Sequence, residues 1–152
     1  MTEIIPVETP DGSYPIHLGE GILADPGKLV AKAGFSGPCA VVTNPTVGQH
    51  YAEIVLDSLR EHGLQPTLCE IPDGEQYKTL QTVSGLYDQF LTAGLERKSP
   101  ILALGGGVVG DPGAWAGLCE DANAHVRLLP GRAPRGCGCR GARIYARLPV
   151  QP

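Results

Sequence analysis

Nowhere in this chain does an apolar stretch approach the roughly 20 residues that a membrane-crossing helix needs, so no membrane partner is expected. The opening Met-Thr-Glu-Ile-Ile-Pro has no basic stretch ahead of an apolar one, which argues against a secretory signal and makes the cytoplasm the expected compartment. From residue 112 onward lysine is missing altogether. Among the cysteines, Cys137-x-Cys139 lacks the C-x₂₋₄-C spacing of a zinc knuckle.

What is present is a globular composition, 42% hydrophobic and 18% charged with a formal net charge of -4, over 152 residues, enough for one modest domain with a core. That average conceals a break. Residues 1–111 carry six basic side chains (Lys28, Lys32, Arg60, Lys78, Arg97, Lys98) against 14 acidic ones, whereas residues 112–152 carry six arginines against Glu120 and Asp121. The second stretch is also dense in Gly and Pro and holds Cys119, Cys137 and Cys139. A basic nucleic-acid arm would want a set of aromatic stacking partners, and only Trp115 and Tyr145 are there, so no nucleic-acid partner is expected. A zinc site from Cys119, His125, Cys137 and Cys139 fails on spacing. Loss of lysine, abundant Arg, Gly, Pro and Cys, and absence of periodicity read as an irregular tail, of the kind that an out-of-frame or truncated gene product would have.

Before that break the pattern is regular. Glu3–Val7 and Tyr14–Leu18 read as two strands of a hairpin turning at Asp11-Gly12. Residues Gly19–Lys28 form a loop into a short helix. Cys39–Thr43 is a continuous apolar run, as in a strand buried on both faces, and it stops at Asn44-Pro45. The spacing predicts a helix over Thr46–His62 with Tyr51, Ile54, Val55, Leu56 and Leu59 on its apolar side, then a strand over Thr67–Ile71. A second helix is expected over Thr79–Ala93 with Leu80, Val83, Leu86, Tyr87, Phe90 and Leu91 inward, then a strand over Ile101–Leu104. Strand, helix, strand, helix, strand implies an α/β, Rossmann-like parallel sheet with helices on both faces, preceded by the N-terminal β-hairpin. Ligands of such sheets bind at the carboxyl ends of the strands, here Asn44, Asp73–Lys78 and Gly105–Asp111.

Two of those ends carry chemistry. Gly105-x-Gly107-x-x-Gly110 after a strand lets backbone approach a pyrophosphate at a helix N-terminus. The acidic residue usually found about 20 positions later is missing, and a plain tight turn with Asp111 as N-cap explains the pattern equally well. The run Asp73-Gly74-Glu75-Gln76-Tyr77-Lys78 places two carboxylates and an ammonium at the next strand end. They suit ribose hydroxyls and phosphate respectively, and they equally suit an ordinary solvated loop.

Together, Asp73-Gly-Glu-Gln-Tyr-Lys-Thr79 and Ala103-Leu-Gly-Gly-Gly-Val-Val-Gly-Asp111 resemble the paired signature of 3-dehydroquinate synthases. Val42-Thr-Asn44, Tyr14-Pro-Ile and Gly19-x-Gly-Ile-Leu23 fall in the same order, so the resemblance spans about residues 3–111. It implies an NAD-dependent lyase of the shikimate pathway, which converts 3-deoxy-D-arabino-heptulosonate 7-phosphate to 3-dehydroquinate and phosphate. Such enzymes use NAD transiently and take a divalent metal, zinc or cobalt, as Lewis acid; they are commonly homodimers. By motif, the resemblance assigns NAD contacts to Asn44, Asp73, Gly74, Glu75, Gln76, Tyr77, Lys78, Gly107, Val108, Val109, Gly110 and Asp111.

Past Asp111 the resemblance fades. Pro112-Gly-Ala-Trp-Ala-Gly-Leu118 keeps an echo of the family's next helix, so the expected layout is an incomplete NAD-binding domain over 1–118 and an irregular tail over 119–152. The family's C-terminal helical domain, which supplies the metal ligands, is not represented. None of His17, His50, His62 or His125 matches a ligand position, so no catalytic or metal residue is assigned, and an inactive fragment is expected. Two other readings share the pattern: another sugar-phosphate cyclase or polyol dehydrogenase of the same fold, and a non-enzymatic binding module using the basic tail.

Overall fold

The computed structural model describes residues 2–9, 12–19, 21–96, 99–106, 109, 125–130 and 143–146. Strand β1 (Thr2–Thr9) pairs antiparallel with β2 (Gly12–Gly19), with Thr9 opposite Gly12. A 3-10 turn (Ile22–Ala24) leads into the short helix α1 (Pro26–Lys32), which begins on proline, where the missing N–H costs nothing. Then follow β3 (Gly37–Thr43), α2 (Pro45–Glu61), β4 (Leu64–Glu70), a 3-10 turn (Glu75–Tyr77), α3 (Leu80–Thr92) and β5 (Ile101–Leu104). Two more strands, β6 (His125–Pro130) and β7 (Arg143–Ala146), lie in the stretch that the sequence reads as irregular. For those ten residues the expectation fails: both runs contain β-branched residues, and β6 pairs in register beside the buried β5. Cys119, Cys137 and Cys139 lie outside the described residues.

The strands form one sheet in the order β1-β2-β7-β6-β5-β3-β4, parallel throughout except for the β1–β2 hairpin. β3 sits between β4 and β5, and its residues alternate between two cores. Cys39 and Val41 face the side covered by α1 and α2, together with Leu102 and Leu104 of β5. Ala40 and Val42 face the side covered by α3, together with Ile101 and Ala103. A strand packed on both faces has no polar positions to show, and this is why β3 and β5 read as unbroken apolar runs.

The helices present narrower apolar stripes than the sequence implies. In α2, Ala52, Val55, Leu56 and Leu59 are buried, but Ile54 is 48% exposed. In α3, Val83, Leu86 and Phe90 are buried, whereas Leu80 and Leu91, at either end, are 74% and 69% exposed. A single helix lying on a flat sheet buries only the residues directly beneath its axis, so the flanks of a wide apolar stripe stay in solvent. β4 starts three residues earlier than predicted and accommodates Pro66. That residue pairs with Cys39 on a strand whose other side has no neighbour in the described sheet, which is where a strand tolerates a proline.

The layers meet closely at one crossing. Gly27 of α1 donates its N–H to the buried Ser58 Oγ of α2 at 3.1 Å. A Cβ at residue 27 would press on the Ser58 carbonyl and lie 2.9 Å from Leu59 N, so only glycine fits there.

Candidate functional site

Thr43, the last residue of β3, organises the carboxyl edge. Its side chain is fully buried, and its hydroxyl donates to the Leu104 carbonyl of β5 at 2.8 Å. Its own carbonyl accepts from Ile71 N, just past β4, at 2.9 Å. One residue therefore ties the ends of three neighbouring strands together, and the three loops that follow emerge side by side.

From β3 comes Asn44, buried at 9% exposure, with extended backbone and its Oδ1 accepting from Val47 N at 2.9 Å. It is the N-cap of α2, and Pro45 occupies the first helical position.

From β4 comes the Asp73–Lys78 loop. Asp73 Oδ2 accepts from Thr46 Oγ1 at 2.6 Å, which joins this loop to the first turn of α2. Gly74 opens the turn at φ 118°, and Glu75, Gln76 and Tyr77 make a single 3-10 turn closed by Tyr77 N to Gly74 O and Lys78 N to Glu75 O, each 3.1 Å. Lys78 Nζ pairs with Glu75 Oε2 at 2.9 Å, the carboxylate side being largely in solvent. The loop ends at Thr79, whose Oγ1 caps α3 by accepting from Thr82 N at 3.2 Å.

From β5 comes the glycine turn. Gly105 takes φ 152°, and a Cβ there would meet the Val109 side chain at 2.7 and 2.9 Å, so the turn requires glycine twice over, by backbone angle and by space. Val109 N donates to Gly106 O at 3.2 Å, and the Val109 side chain is fully buried in the α3-side core. At Gly106 a Cβ would meet none of the described residues within 4 Å. Gly107, Val108, Gly110 and Asp111 lie outside the described residues.

The described residues thus bring Asn44, Asp73–Lys78 and the start of the glycine turn to one edge. Thr43 and Thr46, which hold those segments together, were not singled out from the sequence; a Thr at a strand end beside Asn-Pro carries no signal until its partners, 61 and 27 residues away, are in place. Beside the loop, on its α3 side, lies a cleft of about 450 Å³ lined by residues including Glu70, Ile71, Gln76, Tyr77, Thr82 and Gln89; among the described residues, Asn44, Gly105, Gly106 and Val109 do not border it. Among the described residues no three His, Cys, Asp or Glu side chains converge to hold a metal, so the divalent ion of the resembled family has no fitting site there. Also among the described residues, no helix is long and apolar enough to cross a membrane.

Comparison with known proteins agrees with the motifs. A profile of the N-terminal part of 3-dehydroquinate synthases matches residues 68–121. Proteins named 3-dehydroquinate synthase from Pelobacter propionicus and Geobacter metallireducens are 45% identical over 113 residues and 46% identical over 128 residues. These stretches cover 74% and 84% of this chain but only 32% and 34% of those proteins, so the chain spans about a third of the length of the curated relatives it matches. Among solved structures, a 2-deoxy-scyllo-inosose synthase superposes with a TM-score of 0.78 at 17% identity, covering 95% of this chain and 46% of that one. A 2-epi-5-epi-valiolone synthase from Streptomyces hygroscopicus subsp. jinggangensis 5008, solved with NAD+ and Zn2+ bound, superposes at 0.69 and 23% identity, covering 93% and 44%. At these identities the two structures establish a shared fold. Over most of its length, the chain is similar to about a third of the length of 3-dehydroquinate synthases.

Proposed function

We propose that this chain forms the NAD-holding portion of a 3-dehydroquinate synthase, the enzyme that turns 3-deoxy-D-arabino-heptulosonate 7-phosphate into 3-dehydroquinate and phosphate. The observation that carries this reading is the convergence of Asn44, the Asp73–Lys78 loop and the Gly105 turn on one sheet edge, with Thr43 bonded towards both neighbouring strands. Carboxyl edges of parallel sheets are where dinucleotides lie. Here the Gly106 backbone, with none of the described residues within 4 Å of where a Cβ would stand, suits a pyrophosphate, Glu75 offers a carboxylate to ribose hydroxyls, and Lys78 offers an ammonium to phosphate. By the family resemblance, Gly107, Val108, Val109, Gly110 and Asp111 are assigned to the same cofactor contacts.

When bound, NAD supplies reversible hydride transfer. The chain's own residues bind and orient it: Asn44 fixes the start of α2 beside it, and the Glu75–Lys78 pair, held at 2.9 Å in the free protein, exchanges partners with ribose and phosphate. The sugar-phosphate substrate class and the cytoplasmic setting follow from the same reading, and a polyol dehydrogenase is disfavoured by the synthase names of the 45%-identical relatives.

Calorimetric titration of the 152-residue chain with NAD+ tests this. Saturable binding is expected, weakened about tenfold or more in Lys78→Ala, as for loss of a charged hydrogen bond. Absence of binding at millimolar NAD+, or equal binding by Lys78→Ala, would refute it.

A further inference from the structure

Thr46 stands outside the family-like motifs, yet it makes a side-chain link between the first turn of α2 and the Asp73–Lys78 loop, a hydrogen bond of 2.6 Å to Asp73 Oδ2. We propose that Thr46 is a positioning residue that latches this loop over the edge where the dinucleotide is held; the second half of that statement rests on the function proposed above. Three features favour the latch. The acceptor is a carboxylate, which makes the bond short and stronger than one between neutral groups. Asp73 meets α2 in its first turn, where the helix presents its positive end, so the carboxylate is held by field as well as by the hydroxyl. Finally, the donor cannot drift: Thr46 follows Pro45, in a turn pinned by Asn44 Oδ1 on Val47 N and by Gly48 N on Asn44 O at 2.8 Å.

What the latch controls is the freedom of a loop that is otherwise exposed. Asp73 through Lys78 contains no buried residue, Gly74 alone being partly covered, and its internal bonds include the two 3.1 Å closures of the 3-10 turn, Thr79 N to Tyr77 O at 2.8 Å and the Lys78–Glu75 ion pair at 2.9 Å. With Asp73 anchored, Glu75 and Lys78 stay at the sheet edge. Released, the turn samples other positions, and binding must then order it at an entropic cost.

The test uses the whole chain as wild type, Thr46→Val and Thr46→Ser. Valine keeps the shape and removes the donor; serine keeps the donor. Amide hydrogen exchange of the unliganded protein reads the latch, and NAD+ titration reads its consequence. Thr46→Val is expected to speed exchange at Tyr77, Lys78 and Thr79 and to weaken NAD+ binding, each by roughly fivefold, the worth of one hydrogen bond, with Thr46→Ser restoring both and α2 amides unchanged in every variant. Unaltered exchange at residues 77–79 in Thr46→Val would overturn the latch. So would equal loss in Thr46→Ser, because that would mark a steric role. If the loop is freed and NAD+ binds equally well, the latch has no part in holding the cofactor and the proposal falls. If wild type binds no NAD+ while Thr46→Val still frees the loop, the functional reading fails and the latch alone stands.

Discussion

Replacing Thr43 by valine removes a single hydroxyl where three strand ends meet, and the outcome can be worked through from the contacts. Thr43 is fully buried, and its hydroxyl is 2.8 Å from the Leu104 carbonyl and 3.5 Å from the Asn44 carbonyl. Valine fills nearly the same volume, so the cavity contribution is small; the change is the loss of the bond, a net of about 1 kcal/mol, rising to about 3 kcal/mol if the buried carbonyl is left short of a donor. For a chain of this length each kcal/mol moves the melting temperature by about 2–4 °C, so a fall of roughly 2–12 °C is expected. Burying an extra methyl acts in the other direction and pulls the expected fall towards the lower end of that range. Thr43→Ser keeps the hydroxyl and deletes Cγ2, the atom that would lie 3.0 Å from a Cβ on Gly48, at a cost of about 1 kcal/mol. Thermal melts followed by circular dichroism compare both with Thr43→Ala, which should lose about as much as the two together. Were Thr43→Val to melt at or above wild type, the hydroxyl could not be what joins β3 to β5.

Two further predictions concern the core. Gly27→Ala would drive its methyl into the α2 backbone at Ser58 and Leu59, and backbone cannot swing aside as a side chain can; a loss of about 1–3 kcal/mol is expected in urea unfolding, with overpacking as the cause. Burial pushes the Cys39 thiol up to about 12 and the Cys69 thiol up to about 11 from an ordinary 9.0. Both thiols therefore stay protonated in the fold after they would have ionised in the unfolded chain. Their contribution to stability is full below about pH 9 and is lost as pH rises through 11–12, at up to about 1.4 kcal/mol per thiol per pH unit. Urea midpoints measured from pH 8 to 10.5 should fall, and Cys39→Ala with Cys69→Ala should flatten that fall; a pH-independent midpoint would contradict the burial.

The N-terminal half of the architecture was legible because each element announces itself locally. Apolar runs closed by Asn44-Pro45 and by Gly105 mark strands buried on both faces, and the residues that end the helices, Gly63 and Gly94, sit where the sequence placed the stops. The two motifs made the family readable as well, since each carries its residue types at fixed spacing. What local pattern cannot encode is which flank of an apolar stripe meets the sheet: Ile54, Leu80 and Leu91 looked like core and stand in solvent. Nor did composition foresee β6 and β7, because a short strand can be recruited by a neighbour that already offers a row of unpaired backbone groups.

The sequence alone determined the order and type of the elements from β1 to β5 and the chemistry available at three of their ends. Only the tertiary structure decided that β3 lies between β4 and β5, and hence that Thr43 reaches Leu104 and Thr46 reaches Asp73. The physical reason is that strand order and register are set by pairings between segments far apart in the chain, whose energies depend on both partners at once. A hydrogen bond spanning 61 residues has no counterpart in any window of local sequence.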